Sequence, residues 1–330
     1  AGARVGVLGD FCLDVYWALD LSRSEASLET GKATRPVRRQ RCSLGGAGNV
    51  VANLAALGVG TVRAFGAVGK DPFGRRLLEL LEAAGVDAGG MRAIADEDAW
   101  QTLTYCKPFC GDEEQPRLDF GCFNCLPDDG AAAIVTALEG ALDGLDVVVI
   151  NEQVAAGLHT PRLQECLTAL LARRRRPVMI FDGRHLPHAY PGAWLKVNEA
   201  EAARLAGLGV TAVGPLPWAT VETAARALWA RRGQPVFVTR GRRGAAVCAG
   251  SVVEAIPGIR IEGPVDSVGA GDAFLAGLAA ATAAGAGPGE ALQVGNLAGA
   301  VTVTKLHQTG TASPAEIIAL GTPPRFAAPE

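Results

Sequence analysis

The sequence predicts an α/β fold: a mostly parallel sheet covered by helices on both faces, with a small antiparallel β lid. Three observations predict it. Continuous apolar runs at 146–150 (DVVVI), 177–182 (PVMIFD) and 235–239 (PVFVT) lack the alternation of a half-wet strand, so both their faces must be covered. These runs alternate with helical stretches, the pattern of a crossover-connected parallel sheet. Segments 11–44 and 96–125 break that rhythm and read as antiparallel additions around one glycine turn.

Residues 4–10 (RVGVLGD) read as the first strand. Segment 11–44 is irregular apart from an alternating run at 36–42. The turn Gly45-Gly46-Ala47-Gly48-Asn49 opens a helix over 50–57 that stops at Gly58. A strand at 61–68 precedes an amphipathic helix over 72–84, with Asp71 as its N-cap and Gly85 past its end. Residues 102–108 and 117–123 form a hairpin about Gly111-Asp112-Glu113, and 131–142 is helical. Helices at 161–173, 199–206 and 221–231 then alternate with strands at 146–150, 177–182, 194–197 and 235–239. Helices over 270–284 and 289–305 close the core, so 1–330 reads as one domain whose lid comes from about 11–44 and 96–125.

A composition 49% hydrophobic and 20% charged suits a globular protein with a sizeable core. With a net charge of −3, nothing argues for a nucleic-acid or membrane surface, and neither partner is expected. The apolar run at 275–284 is too short to span a bilayer, and the first residues enter a strand without a signal-peptide pattern. A cytoplasmic location is the resulting expectation. The basic run 173–176 reads as a solvated helix end. Four of the eight cysteines, Cys106, Cys110, Cys122 and Cys125, have a zinc-like spacing. In the hairpin, however, Cys110 sits near the tip and Cys122 near the open end, roughly 20 Å apart at ~3.3 Å per residue, too far for one tetrahedral site. Reduced, scattered thiols are the better reading.

Residues 265–284 (VDSVGAGDAFLAGLAAATAA) read as a strand end, a glycine turn and an apolar helix. Such a turn aims the backbone amides of Gly269, Ala270 and Gly271 at one spot, and the helix dipole adds positive charge there. Asp272 stands beside this anion cradle as an acceptor. A cradle for developing charge with an adjacent base suits phosphoryl transfer. The plainer reading of a bare GAGD is an ordinary helix cap. Polar residues also end several predicted strands: Asp10, Asn151-Glu152, Asp182, Asn198 and Thr239-Arg240-Gly241. In an open α/β sheet these strand ends share one crevice.

GGAGNVVANLAALG (45–58) and DSVGAGDAFLAGL (266–278), with Asn198-x-x-Glu201 between them, resemble the signatures of ribokinase-like, PfkB-type carbohydrate kinases. The segments GDFCLDVYW (9–17), PRLDFG (116–121), FDGRHLPHAYPGAWLKVNEAEA (181–202) and KLHQTGTASPAE (305–316) are similar to the kinase domain of bacterial heptose-7-phosphate kinase/adenylyltransferases. The chain departs from that pattern at Gly183-Arg184, Asn151-Glu152-Gln153, Lys70 and the cysteine-rich hairpin.

The resemblance implies an ATP-dependent sugar kinase using Mg2+, with D-glycero-D-manno-heptose 7-phosphate as the best match for the acceptor. It implies Asp272 as the base, with the amides of Gly269, Ala270 and Gly271 on the phosphoryl group. Asp14, Gly45, Gly46, Asn49 and Glu152 would hold the sugar, and Lys107, Arg117 and Arg184 are the cations available for a sugar phosphate. Asn198 and Glu201 would organise magnesium. Thr239, Gly241, Gly244 and Asn296 would lie along the nucleotide, and Asp266 is a candidate to help bind a monovalent cation such as K+. A homodimer through the lid is implied as well. Ribokinase-, fructokinase- and nucleoside-kinase-like activities are alternatives, as is a non-catalytic binding protein on the same fold. A dinucleotide oxidoreductase is disfavoured because VGVLGDFCLD lacks GxGxxG.

Overall fold

The computed structural model describes residues 2–174, 176–209, 214–306 and 309–322. The chain begins with β1 (Arg4–Gly9), β2 (Phe11–Leu19) and β3 (Val37–Gly46), and continues with α1 (Ala47–Ala56), β4 (Thr61–Gly69), α2 (Pro72–Ala83) and β5 (Asp87–Ile94). β6 (Thr104–Cys110), β7 (Glu113–Glu114), β8 (Leu118–Phe120) and α3 (Asp128–Ala141) follow. Next come β9 (Val147–Glu152), α4 (Pro161–Arg173), β10 (Val178–Gly183), β11 (Trp194–Asn198) and α5 (Glu199–Leu205). The last third holds α6 (Trp218–Arg232), β12 (Val236–Thr239), β13 (Ala245–Cys248), β14 (Val253–Ile256), α7 (Ala270–Ala283), α8 (Pro288–Thr302) and α9 (Pro314–Gly321).

The main sheet has nine strands in the order β14-β13-β12-β11-β10-β9-β1-β4-β5. Pairing is parallel from β12 to β5, and β13 and β14 add an antiparallel edge. Alternation along single strands assigns the two faces. Val148, Ile150, Leu195 and Val197 pack with the α3–α6 layer. Val147, Val149, Ile180 and Phe237 pack with α1, α2, α7 and α8.

The second sheet runs β3-β2-β6-β7, with β8 also on β6. Its β2–β3, β6–β7 and β6–β8 pairs are antiparallel, and its β2–β6 pair is parallel. Phe11, Leu13, Val15 and Leu44 join the same apolar core as α1 and α2, which seats this sheet beside the main one.

The structure corrects several expectations. Residues 11–19 form a nine-residue strand rather than an irregular segment, because their apolar face is buried against α1 and α2. β5, β13, β14 and α9 were not expected. No strand precedes the 269–271 turn: residues 260–267 carry no regular structure. The hairpin is present, with Cys110 opposite Glu113 at its tip and Cys106 opposite Leu118. All eight cysteines are free thiols. Residue 175 of the basic run and residues 307–308 of the 305–316 segment lie outside the described residues. No helix among the described residues is long and apolar enough to cross a membrane.

Candidate active site

Strand order reverses around β1, with β4 on one side and β9 on the other, and ligands bind beyond the carboxyl ends of strands near such a reversal. A cleft of about 250 Å³ opens there. β9 leads into it with Gln153, β10 contributes Asp182, Gly183 and Arg184, and β11 contributes Lys196 and Asn198. Glu201 reaches it from α5. The start of α7 supplies Gly269, Gly271 and Asp272.

Gly269 adopts φ +78°, and a Cβ there would lie 2.4 Å from Thr309 Cγ2, so only glycine fits this turn. The three predicted cradle amides are not equivalent. Gly269 and Gly271 face the cleft, while the Ala270 N–H closes a turn on the Ser267 carbonyl at 3.2 Å.

Asp272 stands in the first turn of α7 and accepts a hydrogen bond from Asn49 Nδ2 at 3.1 Å. Burial pushes its carboxyl up to about 6, and the charge of Asp182 adds to the rise. Lys196 and the Asn49 hydrogen bond pull the other way. Asn49 also lines a second hollow of about 240 Å³ with Ser43, Asn53 and Thr309. Asp272 therefore stands between the cleft and the small-sheet side of the molecule.

Asn198 and Glu201 form a capping box at the start of α5. Asn198 Oδ1 accepts the Glu201 N–H at 2.9 Å, and Glu201 Oε2 accepts the Asn198 N–H at 2.8 Å. Both side chains also line the cleft, so the cap orients two oxygen donors toward it.

On the small sheet Asp14 is 6% exposed, lies against Gly45 and pairs with Lys107 Nζ at 2.9 Å. Lys107 also stands 5.0 Å from the centre of the Tyr16 ring. Arg117 grips Asp119 with two hydrogen bonds of 2.6 and 2.7 Å and lies over Tyr105. Gly46 takes φ +55°, where a Cβ would strike the Asp10 carbonyl, and it passes β3 directly into α1.

Other predicted residues stand apart from the cleft. Glu152 is 1% exposed, and its Oε2 accepts the His185 and Leu186 N–H groups at 2.7 and 3.0 Å. It shapes the turn that carries Arg184. Thr239 Oγ1 donates to the Val197 carbonyl at 3.4 Å, and Gly241 starts a short 3-10 turn. Gly244 is pressed against the Ile256–Gly258 backbone, and Asn296 donates to the Pro257 carbonyl at 3.0 Å, so these two meet around one loop. Asp266 accepts the Val268 N–H at 3.0 Å.

Sequence reasoning missed Lys196. Its signal was a lysine inside a short buried strand, WLKVN, where lysine is rarely found without a partner.

Residues 12–105 and 184–316 match the pfkB family carbohydrate kinase profile. The chain belongs to the pfkB family of carbohydrate kinases. It is 34% identical over 325 residues to the "Bifunctional protein HldE" of Caulobacter vibrioides, covering 97% of this chain and 63% of the relative. It is 35% identical over 330 residues to the protein of the same name from Halorhodospira halophila, covering 98% and 65%. This pfkB-family chain thus spans about two thirds of the length of those relatives or slightly less. Solved structures share the fold. Ribokinase from Thermotoga maritima aligns at TM-score 0.71 and 20% identity over 97% of this chain and 99% of its own. Phosphofructokinase-2 from Escherichia coli, solved in complex with potassium, aligns at TM-score 0.73 and 18% identity over 97% and 98%.

Proposed function

We propose that this kinase transfers the γ-phosphoryl group of ATP to a sugar phosphate. The best match is D-glycero-D-manno-heptose 7-phosphate, converted to the 1,7-bisphosphate at its anomeric hydroxyl. The observation that carries the reading is Asp272, a carboxylate tuned to about 6 beside the glycine turn and held by Asn49. Such a group is ionised at neutral pH yet retains a proton better than an exposed aspartate, as a general base should. It takes the hydroxyl proton as the acceptor oxygen attacks phosphorus. The Gly269 and Gly271 amides face the charge that develops on the phosphoryl oxygens.

The acceptor sits between Asn49, Gly45 and Gly46 and the Asp14 side of the small sheet, which acts as a lid. Lys107 and Arg117 lie on that sheet, and Arg184 at the cleft, as cations for the substrate's own phosphate. Thr239, Gly241, Gly244 and Asn296 border the nucleotide.

The residues present fit magnesium. Glu201 and Asn198 bring oxygen donors to the cleft, the hard-ligand chemistry that magnesium takes when phosphates and water supply the rest of its shell. Glu201 and Asn198 would hold it, and when bound it would neutralise phosphate charge. Asp266 as part of a monovalent-cation site, a homodimer through the lid and a cytoplasmic location belong to the same reading.

One observation favours a second reading, an unphosphorylated sugar. Both lid cations already have carboxylate partners, Lys107 with Asp14 and Arg117 with Asp119. A panel of sugars and sugar phosphates assayed for ADP release separates the two. A heptose 7-phosphate turned over well above free sugars supports the proposal. Turnover of free pentoses or hexoses alone moves the activity to a ribokinase- or fructokinase-like one.

A further inference from the structure

The hydrogen bonds of Asn53 join parts of the molecule that the scheme above treats separately. Asn53 stands in α1, one helical turn beyond Asn49, and is 1% exposed alongside the buried Val50, Val51 and Leu54. An amide set into the apolar face of a helix is destabilising unless its donors and acceptor are met. Here they are met from outside the helix as well as within it. Nδ2 donates to the Asn49 carbonyl at 2.9 Å and to the Gly310 carbonyl at 3.5 Å. Oδ1 accepts the Ala312 N–H at 3.2 Å. One side chain thus holds an acceptor and a donor two residues apart on the same stretch of backbone.

Segment 309–312 carries no regular structure, so neither a ladder nor a helix fixes it. Lys305 grips it as well: its Nζ donates to the Thr311 carbonyl and pairs with Glu316 at 2.8 Å. Gly310 is pressed close to that lysine, since a Cβ there would lie 2.8 Å from the Lys305 stem. Thr309 is the residue of this segment that meets the glycine turn before α7. Its Oγ1 is buried without a hydrogen-bond partner among the described residues, so the hydroxyl does not set its position. Its methyl carbon is the nearest atom to the place where a Gly269 side chain would stand.

A purely structural account of Asn53 is incomplete. An apolar residue would pack α1 against its neighbours with no amide to satisfy. Apolar contact is non-directional, whereas hydrogen bonds fix distance and angle, so the amide adds a defined register between α1 and residues 310–312. That register matters at Thr309, one residue before the first bonded carbonyl. A cradle of backbone amides acts through the direction in which its N–H groups point, and Gly269 sets that direction with its left-handed turn.

We propose that Asn53 is a positioning residue for phosphoryl transfer. By fixing residues 310–312 it seats Thr309 against Gly269 and keeps the Gly269 and Gly271 N–H groups aimed at the phosphoryl site. The same side chain braces the Asn49 carbonyl, so the helix that holds Asp272 and the turn that receives the charge keep one spacing. Asn53 acts through the segment and touches no substrate. The inference rests on reading this cleft as the phosphoryl-transfer site and is independent of which sugar is the acceptor.

A misaimed cradle loses stabilisation of the transition state while ground-state binding persists. The test measures kcat and KM for ATP and for the best acceptor of the panel. It also measures affinity for MgADP alone and for MgADP with tetrafluoroaluminate, a mimic of the phosphoryl group in flight. The variants are Asn53→Ala, Thr309→Ser and the two combined. Thr309→Ser keeps the hydroxyl and removes only the methyl against Gly269, so it probes the relay without unpairing any buried amide. Melting curves verify that each variant is folded in the assay.

The expected result is a fall in kcat of roughly 10–10²-fold in Asn53→Ala and about tenfold in Thr309→Ser, with both KM values within a few-fold of the parent's. Binding of the tetrafluoroaluminate complex should weaken in proportion to kcat, and binding of MgADP alone should not. The double variant should be about as slow as Asn53→Ala, because both changes break the same relay. A kcat near the parent's in either single variant overturns the proposal, as do losses that multiply in the double variant. Equal weakening of MgADP with and without tetrafluoroaluminate overturns it too. If Asn53→Ala does not fold, the kcat and tetrafluoroaluminate affinity of Thr309→Ser decide alone. Asp272→Asn serves as the control for the site itself: full activity there rejects the cleft, whereas loss there with unaffected Asn53 and Thr309 variants rejects only the positioning role.

Discussion

Asn49 Nδ2 donates to Asp272 Oδ2 across 3.1 Å, joining α1 to α7 over 223 residues of sequence. The bond ties the glycine turn that ends the small sheet to the glycine turn that opens the cleft. It also stabilises the ionised form of Asp272 against the burial that raises its pKa.

Asp272→Asn should lower turnover by roughly 10²–10⁴, since an amide cannot take the hydroxyl proton. Nucleotide affinity should stay within a few-fold. Near-normal turnover measured by ADP release would remove Asp272 from the role of base.

The same residue makes a stability prediction. Its folded pKa of about 6 lies above the ordinary 3.8, so folding favours the protonated form. Below 3.8 the group is protonated in both states and contributes nothing. As pH rises through the interval to 6, ionisation increasingly opposes the native state, and above 6 that cost is fully present. Asp272→Asn should therefore melt higher than the parent at neutral pH, and the difference should shrink as pH falls toward 3.8 and vanish below it. A variant that melts lower at neutral pH contradicts the assigned direction.

The pH–rate profile should show an acid limb near 6, with activity rising as Asp272 ionises. Asn49→Leu removes a hydrogen bond to the charged form, so the limb should move to higher pH. An unmoved limb would mean that the 3.1 Å contact does not tune the base.

Glu201→Gln should raise the magnesium concentration needed for half-maximal rate. Asn198→Ala breaks the capping box and should cost about 1 kcal/mol of stability besides. A magnesium titration identical to the parent's would leave Glu201 as a helix cap only.

Lys107→Ala and Arg117→Ala should erase most of any preference for phosphorylated over free sugars, with less effect on ATP. Lys107→Ala also frees Asp14, whose ion pair is largely buried, so its effect should reach free sugars too. Ratios of kcat/KM that match the parent's in both variants would place the substrate phosphate elsewhere.

Much of this arrangement was legible in the chain because local rules and tertiary packing agree. Asp71 caps α2 and Gly269 forms the turn before α7 as local chemistry expects. Elements were missed where they disagree. β5, DAGGMRAI, carries two glycines and reads as a loop, yet β4 pairs with it along the sheet. β2 keeps Phe11, Leu13 and Val15 on the face that meets the core and Asp14 and Tyr16 on the other, an alternation masked in the sequence because Cys12 and Ala18 share the polar face. Glu152 reads as a ligand at a strand end, whereas its Oε2 holds backbone amides. Lys196 was hidden for the opposite reason: a strand residue reveals a site only when its register partner, Asp182, is known.

β3 ends at Gly46 and α1 begins at Ala47, with no residue between them. The small sheet and the helix bearing Asn49 therefore share a single joint. The Ala47 N–H is anchored to the Asp10 carbonyl at 2.9 Å, which pins the helix side of that joint to the end of β1. Phe11, Leu13, Val15 and Leu44 pack in one core with α1 and α2, so the sheet that carries Asp14 and Lys107 is held against the helix that carries Asn49 on both sides of the joint. The proposed sugar-side residues and the proposed base thus rest on elements fixed to each other within a few residues of the end of β1, so a change in the set of the small sheet is felt at once by the helix that holds Asp272.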